Sequence, residues 1–96
     1  MMVLVCYDVE TVKAGGQKRL SHIAKTCKNF GQRVQNSVFE CKVAPEQWEN
    51  LKSKLLTIYK PEADSLRFYF LGANWQNRVE HHGAKKGYNP DGTIIV

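Results

Sequence analysis

At 96 residues the chain is expected to form a single domain, residues 1–96, because folded units rarely subdivide below about 150 residues. Hydrophobic residues make up 43% and charged residues 24%, a globular balance that excludes disordered and fibrous classes. The net charge of +5 is concentrated: residues 13–33 carry Lys13, Lys18, Arg19, Lys25, Lys28 and Arg33 with no acid, a pattern that favours a polyanionic partner.

Met2 to Val9 is a continuous β-rich run and reads as a buried strand. Thr11 to Gly16 reads as a loop, with Gly15-Gly16 as its flexible element. From Gln17 the period becomes helical. Leu20, Ile23, Ala24, Cys27 and Phe30 fall on one face, Lys18, His22 and Lys25 lie opposite, and Gly31 supplies a stop. Arg19 sits at the border of the apolar stripe, where a long side chain reaches towards the sheet edge. Residues 33–43 predict two short antiparallel strands turning at Asn36-Ser37. Pro45 opens a second helix with Trp48, Leu51, Leu55 and Ile58 inward and Lys52 and Lys54 outward, and Pro61 ends it. Ser65 to Leu71 reads as a strand with Leu66, Phe68 and Phe70 on one face and Arg67 and Tyr69 on the other. Arg78 to His82 and Thr93 to Val96 read as further short strands.

The order β-α-β-β-α-β with a C-terminal strand or tail over residues 84–96 predicts an α+β, ferredoxin-like domain. Two helices would cover one face of its antiparallel sheet. The other face needs a cover, so a homodimer packed through the sheets is expected. Cys6, Cys27 and Cys41 lack C-x-x-C spacing and read as buried reduced thiols. The longest apolar run, Met1 to Tyr7, is too short for a membrane span and lacks the marks of a secretion signal, so a soluble cytoplasmic protein is expected.

The fold hosts many activities, so function has to come from a site. Asp8 closes the first strand, with Tyr7 before it and Glu10 two residues on. Hard cations such as Mg2+ favour carboxylate oxygens where phosphate and water complete the shell, and two Asp8 residues across a two-fold axis would hold one better than a single copy. An isolated acid after a strand is as readily a simple strand terminator. Arg19 and Arg33 offer planar forks for phosphate, against the plainer reading of ordinary ion pairs. Gly15-Gly16-Gln17-Lys18 lacks the spacing of a nucleotide P-loop. Residues 37–41 do not match the third-strand pattern of an RNA-recognition module. His81 and His82 point to opposite strand faces and read as edge-strand surface residues, Trp48 is spaced as core, and Trp75 falls in a loop suited to packing at a subunit interface.

Tyr7-Asp8 at a strand end, a basic first helix and the stretch Gly31-Gln-Arg33-Val-Gln35-Asn-Ser37-Val-Phe39-Glu resemble the CRISPR-associated family of small ferredoxin-like endonucleases. Leu71-Gly-Ala-Asn and Val79-Glu-His-His-Gly83 are similar to one branch of it. The resemblance implies a homodimeric subunit of the spacer-acquisition complex in antiviral defence. It also implies metal-dependent endonuclease activity on RNA or double-stranded DNA, with Mg2+ or Mn2+ as cofactor. It places the metal aspartate on Asp8 and its catalytic neighbour on Tyr7. Nucleic-acid-binding positions then fall on Arg19, Arg33 and Ser37, joined by Lys18 and Lys25 from the basic helix, with Phe39 in the same signature. A basic residue found in some members is here Gln17. The implied partners are the CRISPR integrase subunit, duplex DNA and single-stranded RNA. A non-catalytic scaffold that binds duplex DNA and bridges the integrase subunits is the alternative.

Overall fold

The apolar run at the start of the chain becomes the central strand of a five-stranded antiparallel sheet. The structure is a computed structural model and describes residues 1–72 and 79–84. The elements are β1 (Met2–Asp8), α1 (Gly16–Lys28), β2 (Gln32–Gln35), β3 (Val38–Lys42), α2 (Pro45–Ile58), β4 (Ser65–Phe70) and β5 (Val79–Gly83). Strand order is β2-β3-β1-β4-β5. The first four strands and two helices make the ferredoxin-like α+β plan, and β5 extends the sheet beside β4. The expected strand at Thr93–Val96, the tail from residue 85 and Trp75 lie outside the described residues.

Burial along β1 alternates with the two-residue period of a strand. Val3, Val5 and Tyr7 join Phe39, Cys41, Leu66 and Phe68 on the inner face, where Ile23 and Cys27 of α1 and Trp48, Leu51 and Leu55 of α2 complete the core. Trp48 packs edge-on to Phe68 and Phe70 at ring-centroid distances of 4.8 and 5.4 Å. Each such large buried side chain contributes about 1.5–3 kcal/mol through removal from water. By register, Leu4, Cys6, Asp8, Val38, Arg67, Tyr69 and His81 occupy the opposite face. None of the three cysteines is bonded to another, and burial pushes their thiols up to about 11 for Cys6, 12 for Cys27 and 11 for Cys41. They are poor nucleophiles at neutral pH.

The β2–β3 hairpin turns at Asn36-Ser37 as expected, with a register shift between Arg33 and Gln35. Helix α1 ends three residues before the glycine expected to stop it. Asn29 caps it, and the Phe30 and Gly31 amides both donate to the Cys27 carbonyl. Gly31 serves another purpose, because a Cβ there would run into the Glu40 carbonyl and Cys41 of β3. Helix α2 matches its expected start at Pro45, and Gln47 caps it by accepting a hydrogen bond from the Ala44 amide at 2.7 Å. Lys52, expected in solvent, is half-buried and ion-paired with Glu80 of β5.

One buried carboxylate ties the loop after β1 to the rest of the fold. Asp64 is inaccessible to solvent and accepts from Arg19 Nε at 2.7 Å, Arg19 Nη2 at 3.2 Å, the Lys60 amide at 2.9 Å and the Glu10 amide at 3.0 Å. Arg19 Nη2 also reaches the Glu10 carbonyl at 3.3 Å. The Glu10 carboxylate in turn accepts from the Val12 and Lys13 amides at 3.2 and 3.0 Å. Gly16 allows helix α1 to start against this loop, since a Cβ would collide with the Glu10 carbonyl. Burial alone would raise the Asp64 carboxyl, but the Arg19 hydrogen bond and the two backbone donors outweigh it and hold it below the usual aspartate range.

Asp64→Ala is expected to cost about 3 kcal/mol of unfolding free energy, measured by urea denaturation, because it strands a charged partner and two amide donors. A lowered folded-state pKa means that Asp64 contributes fully above the unfolded aspartate value of about 3.9, and that its contribution is lost as pH falls below that. The wild-type and Asp64→Ala stability curves should therefore converge on acidification below about pH 4. Parallel curves down to pH 2 would contradict the assignment.

Candidate functional site

Strand alternation sends the side chains of Tyr7 and Asp8 to opposite faces of the sheet, and this divides the predicted site in two. Asp8, the last residue of β1, is exposed on the face away from the helices, opposite Ser65 of β4. No group of three or more His, Cys, Asp or Glu side chains converges among the described residues. Glu10, the nearest acid in sequence, is committed to the Val12 and Lys13 amides. Asp8 is thus the carboxylate that one chain presents on this face at the strand end.

Tyr7 is 5% exposed and faces the helices. Its hydroxyl donates to the Asn36 carbonyl at 3.2 Å, and its amide donates to the Ser37 carbonyl at 3.1 Å. Within one chain Tyr7 and Asp8 therefore do not share a face of the sheet. Its ring lies 6.2 Å from that of Phe39, and the Arg33 guanidinium sits 5.2 Å above the Phe39 ring. Burial raises the Tyr7 hydroxyl above its ordinary pKa, and Arg33 beside it pulls the other way. Tyr7, Arg33, Phe39 and the Asn36-Ser37 turn form one cluster on the inner side of the β2 edge.

Arg19 belongs to neither half. Its Nε and Nη2 donate to the buried Asp64 carboxylate and the Glu10 carbonyl, so most of the fork expected to grip phosphate holds the β1–α1 loop instead. Lys18 and Lys25 project from α1 as exposed cations seven residues apart. Together with Lys13, Lys28 and Arg33 they leave five bases of the acid-free segment away from the Asp64 clamp. His81 and His82 do point to opposite faces. His82 Nε2 lies 2.7 Å from Glu80 Oε2, and His81 Nδ1 accepts from Arg67 Nε at 3.2 Å. Both are half-buried rather than simple surface residues.

Asp64 and Glu10 are the residues that sequence reasoning did not place. The Glu10 role had a local signal, since an acid two and three residues before free amides is a turn-capping arrangement. Asp64 had none, because its partner Arg19 lies 45 residues away. No helix among the described residues is long and apolar enough to cross a membrane.

Comparison with known proteins gives the family. The profile of the family described as CRISPR associated protein Cas2 matches residues 1–79. A protein of Chlorobaculum tepidum named CRISPR-associated endoribonuclease Cas2 is 62% identical over the full length of both chains. A Halalkalibacterium halodurans protein named CRISPR-associated endonuclease Cas2 is 50% identical, covering 99% of each. The crystal structure of Streptococcus pyogenes Cas2 at pH 6.5 superposes with a TM-score of 0.71 at 57% identity, covering 83% of this chain and 96% of that one. With a family profile spanning most of its length and relatives this similar over nearly all of it, the chain belongs to the CRISPR-associated Cas2 family.

Proposed function

We propose that the chain is an endonuclease of the CRISPR system, hydrolysing phosphodiester bonds in RNA or double-stranded DNA with a divalent cation at Asp8. The observation that carries the reading is the exposed Asp8 carboxylate closing β1 on the sheet face away from the helices, in a chain whose relatives are named endoribonucleases and endonucleases. The donor chemistry fits Mg2+, or Mn2+ in its place: an exposed hard anionic oxygen, with too few ligands converging among the described residues for a dedicated cage. Such an ion would supply Lewis-acid polarisation of a phosphoryl oxygen.

The chain's own groups do the rest. Asp8 holds the cation. Lys18 and Lys25 bind backbone phosphates, with Arg33 and the Ser37 turn contributing from the β2 edge. Arg19, through Asp64, positions the loop that follows Asp8. Tyr7 acts on the opposite face, in recognition rather than beside the carboxylate.

The complete site is a homodimer in this reading. Both helices cover one face of the sheet, whereas Leu4, Cys6 and Val38 line the other with no described helix against them. A second copy packed there would bring two Asp8 carboxylates to one two-fold axis and bury the apolar strip. An integrase subunit of the spacer-acquisition complex and a cytoplasmic location, where reduced cysteines persist, belong to the same proposal.

Asp8→Asn should lower cleavage of labelled RNA or duplex DNA by 10²–10³-fold, roughly the scale of removing one charge-stabilising group, with binding retained. EDTA should abolish the wild-type activity and Mg2+ or Mn2+ restore it. Duplex binding with no Asp8-dependent cleavage would instead make the chain a scaffold that bridges integrase subunits. Joint Lys18→Ala and Lys25→Ala changes should reduce the salt dependence of duplex binding by about 0.9 in log–log slope for each phosphate that these lysines neutralise. An unchanged slope removes α1 from the interface. Light scattering should return twice the mass of one chain, and Leu4→Glu should shift it to the single-chain mass.

A further inference from the structure

A groove of about 490 Å3 lies between α1 and the β2 edge, on the face of the sheet opposite Asp8. Its volume is within the roughly 300–1,000 Å3 range of clefts that enclose small ligands. Lys25, Lys28 and Arg33 line it, and no carboxylate does. Leu20 and Ala24, half-buried at the edge of the core, give it an apolar wall, while Ser21 adds a hydroxyl. Arg33, though exposed, lies over the Phe39 ring at 5.2 Å.

This combination exceeds what a phosphate backbone alone requires. Cations that merely track a duplex need no apolar wall. An apolar wall with a convergent cationic rim and an orienting hydroxyl suits a planar heterocycle joined to a phosphate. We propose that the groove binds one nucleoside monophosphate unit, either free or as an unpaired strand end, with the base against Leu20 and Ala24 and the phosphate on Lys25, Lys28 and Arg33. The proposal deepens the nucleic-acid reading of Lys25 and Arg33. It assigns them to recognition of a single nucleotide unit, separated by the thickness of the sheet from the carboxylate proposed for cleavage. The competing explanation for Lys25 and Lys28 is that they complement the carbonyl end of α1, which would need no ligand.

The test is titration of the full chain with 5′-AMP, 5′-CMP and inorganic phosphate, followed calorimetrically and by perturbation of the Ser21 and Ala24 amide signals in NMR. A parallel arm compares a blunt duplex with the same duplex carrying a one-nucleotide overhang. The expected result is nucleotide binding about tenfold or more tighter than phosphate, with shifts confined to α1 and β2. Ser21 and Lys28 are exposed, so Ser21→Phe, which fills the groove, and Lys28→Glu should keep the wild-type fold by circular dichroism and lose the binding. Asp8→Asn should bind as wild type does, which separates this proposal from the cleavage reading. A preference for the overhang would show that the strand end is a source of the ligand. Equal binding by the two duplexes, with mononucleotide binding intact, would make the free nucleotide the ligand. Phosphate binding as tightly as AMP, no AMP binding at millimolar concentration, or full binding by Ser21→Phe would each overturn the proposal.

Discussion

The rest of the molecule depends on a carboxylate that water does not reach. Asp64 sits where the loop after α2 turns into β4, and it draws in the guanidinium of Arg19 from α1 and the amide of Glu10 from the loop after β1. An ion buried in this way is stable only when its lone pairs are filled, and here four donors fill them. The arrangement closes three segments distant in sequence around one point. That point is one residue from Ser65, the cross-strand neighbour of Asp8. The strand end carrying the exposed carboxylate is therefore held on both sides, by β4 pairing and by the clasped loop.

A second constraint is the two-residue period of β1. It makes Tyr7 and Asp8 neighbours in sequence and strangers in space, with a sheet between them. The exposed Asp8 carboxylate therefore stands on one surface, and Tyr7 with the Arg33 guanidinium beside it on the other. Arg33, Phe39 and Tyr7 are joined by packing, the ring of Phe39 lying between the guanidinium and the core. Phe39 thus supports the basic surface while itself fully buried.

Much of the fold was legible in the sequence because its signals are local. The apolar run of β1, the helical stripe from Leu20 to Cys27, Pro45 at a helix start and the alternation from Leu66 to Phe70 each reflect contacts of one element with one core. Gly31 was legible as punctuation but misread in purpose, since a glycine needed for close approach to β3 looks the same as one that stops a helix. In the candidate site the exposure of single residues was legible and their grouping was not. Asp8 and the lysines of α1 stand exposed as their patterns imply, while alternation sets Tyr7 on the other face from Asp8. Arg19 shows the limit most clearly. An arginine in a basic segment reads as a phosphate ligand until a distant aspartate is brought to it, and nothing around Lys60-Pro61-Glu62-Ala63-Asp64 announces that such an ion pair will form.

The position of β1 at the centre of the sheet also bears on how the protein is made. In the finished sheet β1 is flanked by β3 and β4, both of which leave the ribosome after it, so its two edges cannot both be paired until Phe70 has been synthesised. At elongation rates of about 5–20 residues per second, the interval between Asp8 and Phe70 is roughly 3–12 s. During that time an apolar strand has at least one open edge and its inner face only half covered. The protein's yield on expression should respond more to slow translation late in the message than early.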